Sequence, residues 1–321
     1  MVLAATFKYK IFLFYRINQM KLKLEARAGS LQPYLLLVPA LSILVGFLLF
    51  PLIWNIYISM HNVSLTTILG EWKYVGFKNF SNLLSDPDFH MSLQVSLLFV
   101  GGSVALQFFV GMVLAVVLNQ QIWGSNTFRA LFIIPWTVSA VITGFSFKFI
   151  FSDSFGVLNY GLEQMGLNPV AWLSDPGMVV WTLVIANMWH GTPFTVIFLT
   201  AGLFSISPVV YEAARIDGAS KIKSFFYITL PLLRPFIIIN LILITMWSVN
   251  FFDLILVMTN GGPLFASTTS SLYMYRQAFE FGLLSKGAAA GFLLIGMNLV
   301  LAYSYIRLFR RKERTVEIRQ M

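Results

Sequence analysis

Six long apolar stretches divide this chain of 321 residues, and each is long enough to cross a lipid bilayer. A hydrocarbon core of about 30 Å needs roughly 20 apolar residues at about 1.5 Å of rise per residue. Because lipid offers no partner for backbone polar groups, we expect each stretch to form a helix. The predicted spans cover residues 34–59, 92–118, 130–151, 178–201, 236–258 and 287–307.

Composition points to the same class of protein. Hydrophobic residues make up 58% of the chain and charged residues 11%, whereas a soluble domain has roughly 45–50% and about 25%. We therefore expect an all-α integral membrane protein. The chain has no cysteine, which excludes disulfides and thiolate metal sites. Its three histidines, His61, His90 and His190, lack the spacing of metal ligands, so no metal site is expected.

The net charge of +9 is distributed unevenly between the two sides of the predicted spans. Seventeen Lys and Arg residues fall on the side of the two termini and four on the opposite side. The positive-inside rule therefore predicts cytoplasmic termini, and the charge needs no nucleic acid to explain it. We expect residues 1–30 to form a basic cytoplasmic segment, either an interfacial helix or a disordered tail. Residues 31–308 would form the transmembrane domain, and 309–321 a basic cytoplasmic tail.

The loops predicted to face outwards are residues 60–91, 152–177 and 259–286, and they hold most of the acidic residues. They are 26 to 32 residues long. Loops of this length can form a platform for an external partner.

A polar loop that we expect to be cytoplasmic, residues 203–235, contains the start and stop signals of two short helices. Ser207 can cap a first helix that begins at Pro208 and covers residues 208–217. Gly218 is expected to end it, because glycine tolerates the left-handed conformation past a helix end. Ser220 can cap a second helix, which we expect to end at Pro231, where a backbone donor is missing.

This loop resembles a signature of the membrane subunits of binding-protein-dependent ABC importers. The signature has E-A-A, three residues, Gly, nine residues, Ile, one residue, and Leu-Pro. Two further positions resemble the sugar-importing branch. The matching residues are Glu212, Ala213, Ala214, Gly218, Ile228, Leu230 and Pro231, with Asp217 and Ala219 for the sugar branch.

The resemblance implies a type I ABC importer permease core of six transmembrane helices, in the inner membrane of a prokaryotic cell. It further implies a second homologous permease, two ATPase subunits that bind ATP and magnesium, an external solute-binding protein, and a carbohydrate as cargo. The loop would couple ATP hydrolysis to transport. A simpler interpretation is that Glu212 only stabilises the N-terminus of its own helix.

Three further stretches resemble sugar permeases: TNGGP at residues 259–263, GAAAG at 287–291 and NMWHGTPF at 187–194. The last is similar to the fourth span of the maltose-type permease. There the matching positions contact sugar, which implies contacts from Asn187, His190, Gly191 and Phe194. His190 stands where that relative has an apolar residue and Phe194 where it has tyrosine, so the sugar itself stays open.

Polar residues inside spans tend to face a cavity or a partner, because they are costly in lipid. Asn187, Asn250 and Asp253 could bind sugar hydroxyls, and we expect Asn250 and Asp253 to share a helix face. Trp189, Trp247 and Phe194 could lie against the apolar face of a sugar ring. The alternatives are helix–helix packing for the amides and interfacial anchoring for the tryptophans.

No catalytic set can be assembled, and the chain has no Gly-rich phosphate loop ending in Gly-Lys-Ser/Thr, so we expect a non-catalytic subunit. An ion-coupled secondary transporter is the rival from another class, with Asp253 as its plausible intramembrane carboxylate. Within the ABC interpretation, a polyol or a glycerol phosphodiester is the alternative cargo.

Overall fold

The computed structural model describes residues 37–120 and 125–320 of the chain. The predicted N-terminal segment 1–30 lies outside the described residues. By its internal contacts the chain divides into two units, Met1–Tyr57 and Ile58–Met321. Helix α1, Leu37–Ser59, begins the described part and contains one π-turn at Val45–Leu49. Its side chains from Leu37 to Phe50 are exposed.

The second unit is helical apart from one small hairpin, in which His61 pairs with Tyr74 and Asn62 with Lys73. Within the described residues, five helices are long and apolar enough to cross a membrane, and a bent helix pair makes a sixth. The elements after α1 are β1 (His61–Asn62), β2 (Lys73–Tyr74), α2 (Lys78–Leu84), α3 (Pro87–Asn119), α4 (Ser125–Thr137), α5 (Ala140–Ile150), α6 (Val157–Gln164), α7 (Val179–Phe204), α8 (Pro208–Ile216), α9 (Lys221–Asn250), α10 (Asp253–Thr259), α11 (Ser270–Tyr275, followed by a π-turn at Arg276–Glu280) and α12 (Leu284–Gln320). The predicted six-span architecture is confirmed.

The third predicted span, residues 130–151, is wrong as a single helix. It is broken between Thr137 and Ala140, and its two halves are bent by 97°. Pro135 lies in the last turn of α4, where it removes a donor and crowds the preceding turn. Thr137 Oγ1 donates to the Ile134 carbonyl at 2.8 Å, which satisfies one acceptor that the broken helix leaves open.

The fifth predicted span, residues 236–258, is also wrong as a single helix. α9 ends at Asn250, Phe251 is extended at φ −82° and ψ 103°, and α10 begins at Asp253. Leu254 and Ile255 of α10 are fully buried, so tertiary packing draws this short helix into the core. Consequently, the expectation that Asn250 and Asp253 share the face of one helix is wrong.

The central pair of helices, α3 and α7, approaches closely through glycines. A Cβ at Gly111 of α3 would lie 2.5 Å from Thr195 Cγ2, and one at Gly191 of α7 would lie 2.5 Å from Gln107 Oε1. Because lipid is as apolar as the helix surfaces, small residues and hydrogen bonds hold membrane helices together more than hydrophobic burial does. Around this pair the core has one cluster that includes Phe99 and Leu183, and a second that includes Leu199 and Leu233.

α12 begins three residues before the predicted sixth span and continues through Gln320. The predicted boundary between span and tail at residue 308 is therefore not a break in the helix. Lys148, near the end of α5, donates to the Val257 carbonyl of α10 at 3.2 Å.

Candidate functional site

Helix α8 carries the E-A-A residues and ends in a hydrogen-bonded glycine cap. The Ala219 N–H donates to the Ala214 carbonyl at 2.9 Å, and the Gly218 N–H donates to the Arg215 carbonyl at 3.1 Å. This pair of bonds is the Schellman motif, which requires a left-handed residue after the helix. Gly218 supplies it at φ +75°. The predicted helix, glycine stop and second helix are confirmed, with α8 ending at Ile216.

The second helix does not end at Pro231, and that prediction is wrong. Ser220 caps it as expected, accepting from the Lys223 N–H at 3.3 Å, but the helix continues to Asn250. A π-turn at Phe225–Thr229 precedes the proline. In membrane helices, local π adjustments re-satisfy the backbone groups that a proline leaves open, so a helix can continue through the proline. Ile228 and Leu230, the other residues of the signature in this helix, are half-buried.

One side of α8 is fixed to α9. Ala214 is buried, and the Tyr211 hydroxyl lies 2.9 Å from Thr229 Oγ1. Tyr211 also packs against the cluster that contains Leu203 and Leu233. A displacement of α8 would therefore be transmitted to α9, which is one of the candidate membrane spans.

The opposite side of α8 is exposed and largely apolar. Val209 is 67% exposed and Ile216 87%, and Glu212 and Ala213 lie between them on the same helix face. The Glu212 carboxylate forms no hydrogen bond or ion pair with the part of the chain that the structure describes. It is the fifth residue of α8, beyond the first turn in which the helix dipole acts. This position weighs against the interpretation that Glu212 only stabilises its own helix. Asp217, the C-cap residue, is also exposed.

A second candidate site is an aromatic cluster contributed by α4, α7 and α9. Phe194 packs edge-on against Trp247 with ring centroids 4.5 Å apart, and Trp136 lies 5.8 Å from Phe194 and 6.4 Å from Trp247. The Trp136 and Trp247 side chains remain about half exposed. Phe194 and Trp247 are thus brought together as a possible stacking surface would require. Trp136 was missed by the sequence analysis, although its place after Pro135, at the end of a helix, was a signal.

The two candidate amides lie in different environments. Asn187 is buried, and its Nδ2 donates to Ser248 Oγ at 3.4 Å, which joins α7 to α9. In this conformation Asn187 acts in helix packing. Asn250 is exposed at the end of α9, where its Nδ2 donates to the Met246 carbonyl at 2.7 Å. Asp253 is half-buried in the first turn of α10.

The remaining candidates make their contacts with residues outside this cluster. The His190 ring stacks on Phe251 with centroids 5.5 Å apart. Gly191 allows the approach of Gln107, as described above. Trp189 packs edge-on against Phe147 at 5.5 Å and has no ring contact with the cluster in the described part of the chain.

Comparison with known proteins identifies similar chains. Residues 107–314 match the family described as binding-protein-dependent transport system inner membrane component. The trehalose/maltose transport system permease protein MalF of Thermococcus litoralis is 36% identical over 92% of this chain and 99% of its own length. The sulfoquinovosyl glycerol transport system permease protein SmoG of Agrobacterium fabrum is 31% identical over 87% of this chain and 90% of its own.

Solved structures show the same fold. A chain of a bacterial ABC transporter involved in the import of the acidic polysaccharide alginate superposes with a TM-score of 0.75 at 25% identity, covering 87% of this chain and 95% of that one. A chain of a bacterial alginate ABC transporter, solved in complex with an alginate pentasaccharide-bound periplasmic protein, superposes with a TM-score of 0.75 at 25% identity, covering 87% of this chain and 94% of that one. A chain of the MetNI methionine ABC transporter superposes with a TM-score of 0.55 at 14% identity, which shows the fold alone.

Proposed function

The chain belongs to the family of binding-protein-dependent transport system inner membrane components, and from that membership we propose that it is a permease subunit that carries a carbohydrate across the membrane. The names of its relatives support carbohydrate as the cargo, because they refer to trehalose and maltose, to sulfoquinovosyl glycerol and to alginate. The orientation proposed from the charges puts both termini and α8 in the cytoplasm of a prokaryotic cell.

The exposed face of α8 carries this proposal. Val209, Ala213 and Ile216 form an apolar face on a helix that is fixed to α9 on its other side. Such a face suits insertion into a groove of a cytoplasmic partner, with Glu212 available to a basic residue there. The partner would be one of two ATPase subunits, which bind ATP and magnesium. Closure of the ATPase pair would push α8 and tilt α9, switching the cavity from inward-facing to outward-facing.

The aromatic cluster suits recognition of the sugar. A pyranose has an apolar ring face that can lie on Trp136 or Trp247, and hydroxyls that can pair with the Asn250 amide. A second homologous permease would complete the cavity, and an external solute-binding protein would deliver the sugar. Asn187 would act behind the sugar-binding surface, by holding α7 against α9 in one conformation.

The test is a substitution on the apolar face of α8. Ile216→Ser is expected to weaken attachment of the ATPase subunit, because burying an isoleucine side chain is worth about 1.5–3 kcal/mol. Glu212→Gln keeps the helix but is expected to reduce sugar-stimulated ATP hydrolysis. The measurements are co-purification of the ATPase and its stimulation in the reconstituted complex. Leu69→Ser is the matched control, because Leu69 is a fully exposed apolar residue of a predicted outer loop.

Wild-type attachment and stimulation in both α8 variants would contradict the proposed role of α8. Uptake in the presence of a protonophore, with ATP maintained, separates this mechanism from ion-coupled transport, since only the latter should stop. Purified alone, the chain is expected to hydrolyse no ATP.

A further inference from the structure

A groove lies at the end of α5 and along α6, in the loop of residues 152–177. Its volume is about 390 Å³, and its walls include three aromatic side chains, Phe149, Phe155 and Tyr160. The rings of Phe149 and Phe155 lie 5.7 Å apart. Phe155 is 68% exposed and Tyr160 65%. These exposures are high for aromatic side chains, so the groove presents apolar surface that nothing in the described chain covers.

Two carboxylates line the same groove, those of Asp153 and Glu163. Asp153 is held in place by the loop, because its Oδ1 accepts from the Leu173 N–H at 3.3 Å and its Oδ2 from Ser174 Oγ at 2.5 Å. The Glu163 carboxylate forms no hydrogen bond or ion pair with the described residues. Residues 152–177 contain three carboxylates and no Lys, Arg or His. The groove is therefore both aromatic and negatively charged.

The groove is preformed by a buried asparagine at its back. Asn159 Nδ2 donates to the carbonyls of Asp153 and Val170, at 3.1 and 2.9 Å. Asn159 Oδ1 accepts from the Val170 N–H at 3.0 Å and from Trp172 Nε1 at 2.9 Å. Trp172 in turn packs on Phe151 in the core. Because these bonds already order the loop, a ligand that enters the groove would lose little affinity to loop ordering.

The negative charge of the groove favours a positively charged ligand. An amphipathic helix that binds a membrane surface carries Lys or Arg on its polar face, and α6 carries Glu163 instead. Aromatic walls beside a carboxylate suit a guanidinium or an ammonium group, which can pair with the carboxylate and lie over a ring. The complementary partner is a protein surface with an exposed basic side chain.

We propose that this groove receives an arginine or lysine side chain from the rim of the solute-binding protein. The inference rests on the proposed function, which supplies that partner and the outward orientation of the loop. A charged contact at the rim of an interface acts chiefly on association and on its salt dependence. The groove would therefore steer docking of the loaded binding protein, and the sugar would be handled elsewhere.

The first test measures stimulation of ATP hydrolysis in the complete reconstituted transporter, titrated with the binding protein that stimulates the wild type. Glu163→Gln is expected to raise the half-saturating concentration of binding protein about 3- to 10-fold at low salt, without changing the maximal rate. Glu163→Lys should raise it further, and added salt should reduce both effects. Glu71→Gln is the matched control, since Glu71 is an exposed carboxylate in another predicted outer loop.

The second test identifies the occupant directly. The chain has no cysteine, so Glu163→Cys introduces one thiol that can carry a benzophenone cross-linker. Cross-linking to the binding protein at or beside a Lys or Arg is expected, and Glu71→Cys should give much less. Cross-linking to the second permease or to lipid alone would overturn the proposal, as would wild-type titration by Glu163→Lys. A wild-type complex that transports without any binding protein would instead overturn the proposed function, and this inference with it.

Discussion

Gly218 is the residue whose identity the geometry of α8 demands most strongly. A Cβ there would meet no atom within 4 Å, so space is not the constraint; the constraint is its φ of +75°. In this left-handed conformation a side chain crowds the following carbonyl, at a cost of about 1–2 kcal/mol. The glycine of the E-A-A signature is therefore explained by the end of α8 and needs no contact with a partner.

Gly218→Ala is expected to destabilise the protein by about 1–2 kcal/mol, because alanine pays the left-handed penalty. The measurement is thermal unfolding of the detergent-solubilised complex. Gly101→Ala is the control: Gly101 also has open space around it, but it lies within α3 and has no positive φ. That variant should be neutral or more stable by up to about 1 kcal/mol. Equal effects of the two substitutions would show that backbone conformation is not what Gly218 provides.

Trp136 belongs to the proposed sugar surface, and its substitution tests that role. Trp136→Leu is expected to raise the KM for uptake about 2- to 10-fold, because an aromatic contact is worth about 0.5–1.5 kcal/mol. Trp136→Phe, which keeps a ring, should lose less. Trp181→Leu is the control, because Trp181 and Trp136 are both 44% exposed and Trp181 has no ring contact with the cluster among the described residues. A KM that is unchanged in Trp136→Leu would assign Trp136 to helix packing.

At the scale of elements, the sequence predicted where the membrane helices lie better than where they break. Apolar length identified every span, and capping chemistry identified the turn at Gly218. The break after Thr137 and the separate helix α10 depend on long-range packing, such as the burial of Leu254, which a local pattern does not contain. The π-turn before Pro231 was not predicted either, since the proline alone predicted a helix end.

The candidate sites also combine features that a local sequence pattern predicts with features that depend on long-range packing. The end of α8 at Gly218 could be predicted from the sequence, because a Schellman cap is a local structure, whereas the coupling role of α8 came from its resemblance to a family signature. The aromatic cluster could be predicted only in part, because Trp136 reaches Phe194 and Trp247 from a different helix. Asn187 shows the reverse case: its sequence position suggested a cavity, and its hydrogen bond to Ser248 shows that it joins two helices.

An ionic cluster joins the starts of α3 and α12 to α11. Asp86 Oδ2 accepts from Lys286 Nζ at 2.6 Å and from the Tyr273 hydroxyl at 2.8 Å. Burial raises the pKa of the Asp86 carboxyl, but the hydrogen bonds from Lys286, Tyr273 and the Asp88 amide outweigh it, so its pKa lies below the ordinary value of 3.8. The cluster is thus stabilised by the ionised carboxylate.

This lowered pKa predicts a loss of stability in acid. The contribution of Asp86 is complete above its unfolded pKa, near pH 4, and is lost as the pH falls through its lower folded pKa. Asp86→Asn is expected to cost about 1.5–3 kcal/mol at pH 6, the usual value of hydrogen bonds to a charged group. The difference from wild type should shrink below about pH 4, as followed by thermal unfolding. Glu71→Gln should show no such dependence, and a difference that stays constant down to pH 3 would contradict the assignment.

At the scale of the whole molecule, the roles proposed for α8 and for the groove at Glu163 both depend on the orientation of the chain in the membrane. The charge distribution predicts it, with seventeen basic residues on one side and four on the other. If the prediction holds, α8 faces the cytoplasm, where ATPase subunits act, and the acidic groove at Glu163 faces outwards. If it is reversed, the two surfaces would face the wrong partners and both proposals would fail together.

Thiol labelling decides the orientation, because the chain has no cysteine to remove first. Ile216→Cys and Leu69→Cys place single thiols at two exposed positions, on α8 and in a predicted outer loop. A membrane-impermeant maleimide applied to intact spheroplasts should label Leu69→Cys and leave Ile216→Cys unlabelled until the membrane is permeabilised. The positive-inside rule is the physical reason, since basic segments remain on the cytoplasmic side during insertion. The opposite pattern would place α8 outside and remove the basis for its coupling to an ATPase.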